Sequence, residues 1–185
     1  MKTRNVIIIC LFIIGIIIFG LFQFVIIPKN NQKTENYILS QQNPITHDLN
    51  TILEYKSKYM GSASNIGNLF YNLPLNDLIK SFELSPDNLT LQVNCKNKDE
   101  VNEEMLNKAL IYNSTAVFAL VDNLEKINYN FSDFVYSFSR ADVEKWYGED
   151  LSSLIDKDKW KEKVQDKIKN KEYVNDCIKE ILKKK

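Results

Sequence analysis

The 22 residues from Val6 to Ile27, VIIICLFIIGIIIFGLFQFVII, carry a single strongly polar side chain, Gln23. As a helix rising about 1.5 Å per residue, such a run reaches about 33 Å, enough to cross a hydrocarbon core of about 30 Å. A cleavable signal peptide has a shorter apolar stretch and a small-x-small exit. Here the exit reads Phe24-Val25-Ile26-Ile27-Pro28, bulky throughout. Lipoprotein processing needs a cysteine after small residues at the end of the run, whereas Cys10 sits near its start. The expectation is a retained single-pass signal anchor, with the bilayer as partner of residues 6–27. Lys2, Arg4 and the amino terminus precede the span, and Lys29 and Lys33 lie beyond it. Charge and position together favour a cytoplasmic N-terminus and an exported C-terminal domain at the cell membrane. Gly15 and Gly20 are five apart, so the GxxxG spacing of close helix pairs is missing.

Beyond the apolar run the chain divides by composition. Residues 29–43 are polar without a period and read as a tether. Residues 44–155 form the expected domain, and 156–185 a lysine-rich C-terminal helix. The formal neutrality of the chain hides a split. Lys157 to Lys185 holds 11 Lys against 6 acidic residues, a net of +5, and Thr34 to Asp156 holds 9 basic against 18 acidic, a net of −9. That split suits either a basic tail on an anionic surface or a solvated helix of mixed charge. An exported domain with an acidic body is a poor nucleic-acid binder, so none is expected as partner.

Periodicity then gives the elements. Leu49, Ile52, Leu53 and Met60 share a helical face, with Thr46 or Asp48 as cap and Gly61 as stop. A second helix after Ser64 places Ile66, Leu69, Phe70 and Leu73 on one side. Leu89, Leu91, Val93 and Cys95 alternate with polar residues behind Ser85-Pro86-Asp87-Asn88, the residues of a turn, which predicts a β-hairpin. Two apolar stripes between Val101 and Leu124 predict a central helix. Ile127, Tyr129 and Phe131, then Phe134, Tyr136 and Phe138, predict a second hairpin. Ser139 caps a further helix that Gly148 ends. The order predicts an α+β fold: an N-terminal transmembrane helix plus a two-layer domain, its four-stranded antiparallel sheet built from two β-hairpins with helices on one face.

Chemistry is sparse. His47 is the only histidine, which excludes His-rich zinc sites, and it belongs in the cap region of the first helix. No G-x-S-x-G elbow or glycine-rich phosphate loop occurs. No catalytic residue, metal site or cofactor is therefore assigned. A hydrolase using paired carboxylates stays open as an alternative, since such residues meet only in the fold. Cys95 and Cys177, both outside the apolar run, are candidates for a disulfide or for buried thiols. Tyr59, Asn65, Asn68, Tyr71 and Asn72 cluster in sequence around small residues. Tyr and Asn offer planar contact and adaptable hydrogen bonds, as binding surfaces do. The plainer alternative is that Gly61 and Gly67 only shape a helix-to-helix connection, with Tyr59 and Phe70 in the core.

Four blocks in order, NPITHDLNTILEYKSKYMG, SNIGNLFYNLPLN, NKALIYNSTAVFALVDNLEKINYNF and SRADVEKWYGEDLSSL, resemble the bacterial domain-of-unknown-function family numbered 4825 over about residues 43–154. Lys56, Tyr59, Gly61, Leu73, Pro74, Phe118, Ala119, Leu120 and Asn123 fit its pattern, while Ser114, Thr115 and Val121 depart from it. The stretch after the second strand is reduced to Lys96-Asn97-Lys98. The resemblance implies a membrane-tethered extracytoplasmic domain, sometimes attached to sensor-type proteins, and supplies no catalytic residue. Sequence and resemblance together predict a non-catalytic binding or sensory module whose partner is an unidentified envelope protein, peptide or glycan. A structural spacer is the third alternative.

Overall fold

A computed structural model describes residues 2–97 and 101–184 of the chain. It divides into two compact units, Met1–Ser40 and Gln41–Lys185.

The first unit is helical throughout its described residues. Helix α1, Lys2–Leu21, runs through one wide π turn, Phe22–Ile26, into α2, Ile27–Gln41. The π turn lies immediately before Pro28, where the proline ring would otherwise clash with the carbonyl four residues earlier. Leu11–Gln41 is the one helix among the described residues long and apolar enough to cross a membrane, and it buries nothing within the chain. The expected irregular tether is thus a helix. Pro28 sets its first turn, and the Lys, Gln, Glu and Leu beyond it include no further breaker.

The second unit opens with a departure from the predicted helix over residues 48–60. Asp48 caps as expected, its carboxylate accepting from Asn50 N at 3.1 Å. The chain then makes only two tight turns, Leu49–Thr51 and Leu53–Tyr55. The cause is tertiary. Ser57 exchanges backbone bonds with the far end of the central helix, donating to Leu120 O at 2.8 Å and accepting from Asp122 N at 3.0 Å. A continuing helix could not release those groups. Helix α3, Ala63–Tyr71, is capped by Ser62 rather than Ser64, and buries Ile66, Leu69 and Phe70.

Strands β1, Ile79–Ser85, and β2, Thr90–Cys95, form the first hairpin. Residues 98–100, which include the end of the short connection after β2, lie outside the described residues. Helix α4, Glu103–Leu120, is capped by Asn102 and buried from Lys108 to its end. Strands β3, Lys126–Asn130, and β4, Val135–Ser139, form the second hairpin.

The sheet corrects the expected topology in two ways. It has five strands in the order β1-β2-β3-β4-β5, with β5 the short Lys183–Lys184. It is also mixed, because β2 and β3 pair in parallel, Leu91 opposite Ile127 and Val93 opposite Tyr129. A parallel neighbour requires a crossover, and α4 supplies it. Both hairpins are legible in the sequence, but the orientation in which they join is not.

Leu91, Val93, Ile127, Tyr129, Tyr136 and Phe138 are buried side chains of the sheet, and the Ser114 hydroxyl of α4 donates to Tyr129 Oη at 3.3 Å. The helices α5, Arg140–Tyr147, α6, Lys157–Trp160, and α7, Lys171–Ile181, also pack against α4, through Tyr147 beside Thr115 and Trp160 beside Tyr112 among others. The C-terminal segment is therefore neither one helix nor an appendage. A π turn, a tight turn at Lys167–Lys169 and a fresh cap at Asn170 divide it, and it buries Trp160, Val164, Ile168, Val174, Cys177 and Ile181 in the core.

Arg140, at the start of α5, closes the C-terminal end of α4. Its guanidinium donates to Leu124 O at 2.8 Å, Phe118 O at 2.8 Å and Val121 O at 2.6 Å, and lies 5.4 Å from the Phe118 ring centre. A helix end leaves carbonyls without partners, and a planar cation with five donors is well shaped to collect them.

Candidate binding surface

The five residues singled out in the sequence fall on two flanks of α3 and one turn. Asn65 and Asn72 are seven apart and look toward Tyr55. Asn65 Nδ2 donates to Tyr55 O at 2.8 Å, and Asn72 Nδ2 donates to Tyr55 Oη at 3.1 Å and Asn68 O at 2.9 Å. The amides of Asn65 and Asn72 are therefore committed to holding α3 against the preceding turns. Asn68 is exposed on the same flank. Tyr59, 71 % exposed, sits in the turn after Ser57. Tyr71, 76 % exposed, is on the opposite flank, four residues after Gly67.

That second flank borders β1. Gly67, Phe70 and Tyr71 of α3 line a groove with Ile79, Lys80, Ser81 and Phe82, and Asn76 closes one end by donating from Nδ2 to Tyr71 O. Of the five sequence candidates, only Tyr71 lines it. The other lining residues carry a sequence signal of structure and none of function. Phe82 and Leu84 alternate as strand residues do, yet nothing in that pattern says that their strand ends a sheet.

The ionisable groups are occupied structurally. His47 is buried, and burial holds its imidazole below the ordinary range. Its Nε2 lies 2.7 Å from Asn72 O, a group that can only accept, so Nε2 carries the proton. Nδ1 then accepts from the Tyr112 hydroxyl at 2.8 Å. The Tyr112 ring meets Trp160 edge-on at 5.2 Å. His47 is thus a fold residue, its two ring nitrogens spent on α4 and the end of α3.

Cys95 and Cys177 are both free and buried, and the disulfide considered for them is not formed. Burial pushes each thiol up to about 12, far from the thiolate form that reacts.

Three carboxylates line each of two surface depressions. Asp122, Glu144 and Asp150 lie with Lys56 and Arg140, and Asp142, Asp176 and Glu180 lie with Lys145 and Lys179. A proton-donating carboxyl needs a raised pKa. Here Asp150 is lowered by hydrogen bonds from Ser152, and Asp142 by Ser139 and Lys183. Among the described residues no group of three or more His, Cys, Asp or Glu could hold a metal ion.

The face of the sheet away from α4 is polar. Asn130 Nδ2 donates to Asn94 Oδ1 at 2.9 Å and Gln92 Oε1 at 3.2 Å. Asn94 Nδ2 reaches Ser81 Oγ and Glu83 Oε1 at 3.0 Å each, and Ser137 Oγ donates to Asn128 Oδ1 at 2.7 Å. These side chains satisfy one another across four strands, as on a sheet with one solvated side.

No curated protein and no solved structure matches the chain. Residues 52–140, which run from the second tight turn through α3, both hairpins and α4 to Arg140, match the family model described as Domain of unknown function (DUF4825).

Proposed function

We propose that the chain is a single-pass, membrane-anchored domain that binds an envelope protein, peptide or glycan without catalysis, with its N-terminus in the cytoplasm and its body outside. One observation carries the anchor: from Ile7 to Ile26 the described large apolar side chains of the first helix are exposed, and the helix continues without a break into a polar one. A helix sheathed in exposed apolar side chains over that length needs lipid around it. The basic residues Lys2 and Arg4 on the leading side favour the stated orientation. The binding reading is supported by the site chemistry, since the lone histidine and both body cysteines are buried in structural roles and the carboxylates with lowered pKa face Lys and hydroxyl partners.

Intact mass of the protein taken from native membranes, with protease shaving of whole cells, tests the reading. An uncleaved chain whose body is digested from outside supports it. A chain that begins beyond Pro28 and is free in the medium overturns the anchor. A hydrolytic activity lost on replacing one acidic residue overturns the non-catalytic part.

A further inference from the structure

Gln23 is the one strongly polar side chain of the apolar run, and it stands exposed on the helix with no hydrogen-bond partner among the described residues. Lys29 follows six residues later, so the amide lies about 9 Å further into the span. Its stem is shorter than those of the Lys and Arg side chains that reach headgroups from within a membrane. Hydrocarbon offers the amide no partner, whereas a second helix can. The surroundings leave room for one. Gly20 lies one turn before Gln23, and a Cβ there would meet open space. Ile13, Ile16, Gly20 and Gln23 follow a three-four spacing along one face of α1 and the π turn, and Ile27, Asn31, Thr34 and Ile38 carry the same spacing along α2. Ile38, 56 % exposed, lies beyond the apolar run, where lipid does not account for an exposed isoleucine.

We propose that this face is the contact between two copies of the chain, parallel in the membrane, with their Gln23 amides hydrogen-bonded to each other. This contact presupposes that the first helix is a retained anchor. A carboxamide carries both donor and acceptor, so it is its own complement. Chains inserted in one orientation bring the second amide to the same depth, a match that an unrelated helix would meet only by chance. Gly20 lets the two backbones draw near enough for the amides to meet, and Ile13 and Ile16 pack on the N-terminal side of them. Since the GxxxG spacing is missing, the amide and not a glycine ridge holds the pair. Asn31 repeats the device beyond the apolar run, because an asparagine on such a seam fixes register and the number of partners.

The test uses the full chain in native membranes, with Cys10→Ala to remove the cysteine of the span. Ile13→Cys and Ile16→Cys, oxidised with copper phenanthroline, are expected to give strong dimer cross-links, and Leu11→Cys and Ile18→Cys, on the opposite face, weak ones. Energy transfer between separately labelled chains in liposomes, diluted with lipid, measures the strength of pairing. Gln23→Leu is expected to weaken it by roughly three- to twentyfold, and Gln23→Asn to keep most of it. Leucine makes the span more apolar, so the loss is not one of insertion. Cross-links equal on all faces or strongest at Leu11 and Ile18, or pairing indifferent to Gln23→Leu, overturn the proposal and leave the anchor standing where intact mass shows an uncleaved chain. A chain cleaved beyond Pro28 overturns the anchor and this contact together.

Discussion

In a chain of 22 lysines and 2 arginines, the arginine at position 140 is conspicuous, and its geometry explains why lysine would not serve. Three carbonyls at and just beyond the end of α4 converge on one planar group, which an ammonium on a flexible stem cannot reproduce. Arg140→Lys is expected to destabilise the domain, and Arg140→Ala by about 3 kcal/mol, in urea unfolding, because buried carbonyls lose their partners. His47 makes a second prediction. Its folded pKa lies below the ordinary value of 6.5, so the unfolded chain takes up the proton first as pH falls. Stability is full above about pH 6.5 and declines below it, with a limiting slope of about 1.4 kcal/mol per pH unit, until the folded pKa is reached. Carboxylates such as Glu104 and Asp142, lowered in the fold, add their own loss only further into acid, below their ordinary values of 4.5 and 3.8. Urea midpoints between pH 7 and 5 should therefore fall for the parent chain and stay flat for His47→Gln.

At the scale of elements, caps explain most of what is legible in the sequence. Ser139 and Gly148 bracket α5 as expected, with Ser139 accepting from Asp142 N and Gly148 at φ 71°. Asn170 leaves a weaker mark, because lysines on both sides disguise a restart as one continuous amphipathic run. Its side chain accepts from Glu172 N at 2.8 Å and Tyr173 N at 3.1 Å. Asn170→Ala should cost about 1 kcal/mol, and Gly148→Ala about 1–2 kcal/mol through its left-handed backbone, both read by thermal unfolding. Periodicity locates α3, α4 and four of the strands, since burial of one face requires it. It misleads over residues 48–60, where Leu49 and Ile52 do face the core but the backbone is claimed by the end of α4. It places Leu89 on the strand alternation, whereas that residue turns at φ 47° before β2 begins. Of the candidate site, Tyr59, Asn68 and Tyr71 are exposed as a binding surface requires. Asn65 and Asn72 are tied down instead, because their partners come from Tyr55 and such pairing leaves no mark on spacing.

At the scale of the molecule, the family match and the folded body have different limits. The match stops at Arg140, but the core includes Val143, Leu151, Leu154, Trp160 and the buried face of α7. The lysine-rich tail is therefore structural, with its charges outward and its apolar residues in the core. Cys177 lies in that packing and Cys95 on the sheet, which sets a test of global integrity. Both thiols should resist alkylation in the native protein at mildly alkaline pH and react on unfolding, and a reducing agent should leave the thermal midpoint unchanged. Rapid native labelling of either would contradict their burial.

The parallel join at the middle of the sheet also sets an order in time. Each hairpin closes over a few residues, but Thr90 meets Lys126 only after the whole of α4 has been looped back. Loop closure of that length must precede the contacts that repay it, so the central seam is the slow step of assembly. Conservative truncations at Leu91 and Ile127 should then slow refolding, and stopped-flow kinetics would read the change directly. A refolding rate that ignores both positions would place the nucleus of the domain away from its central seam.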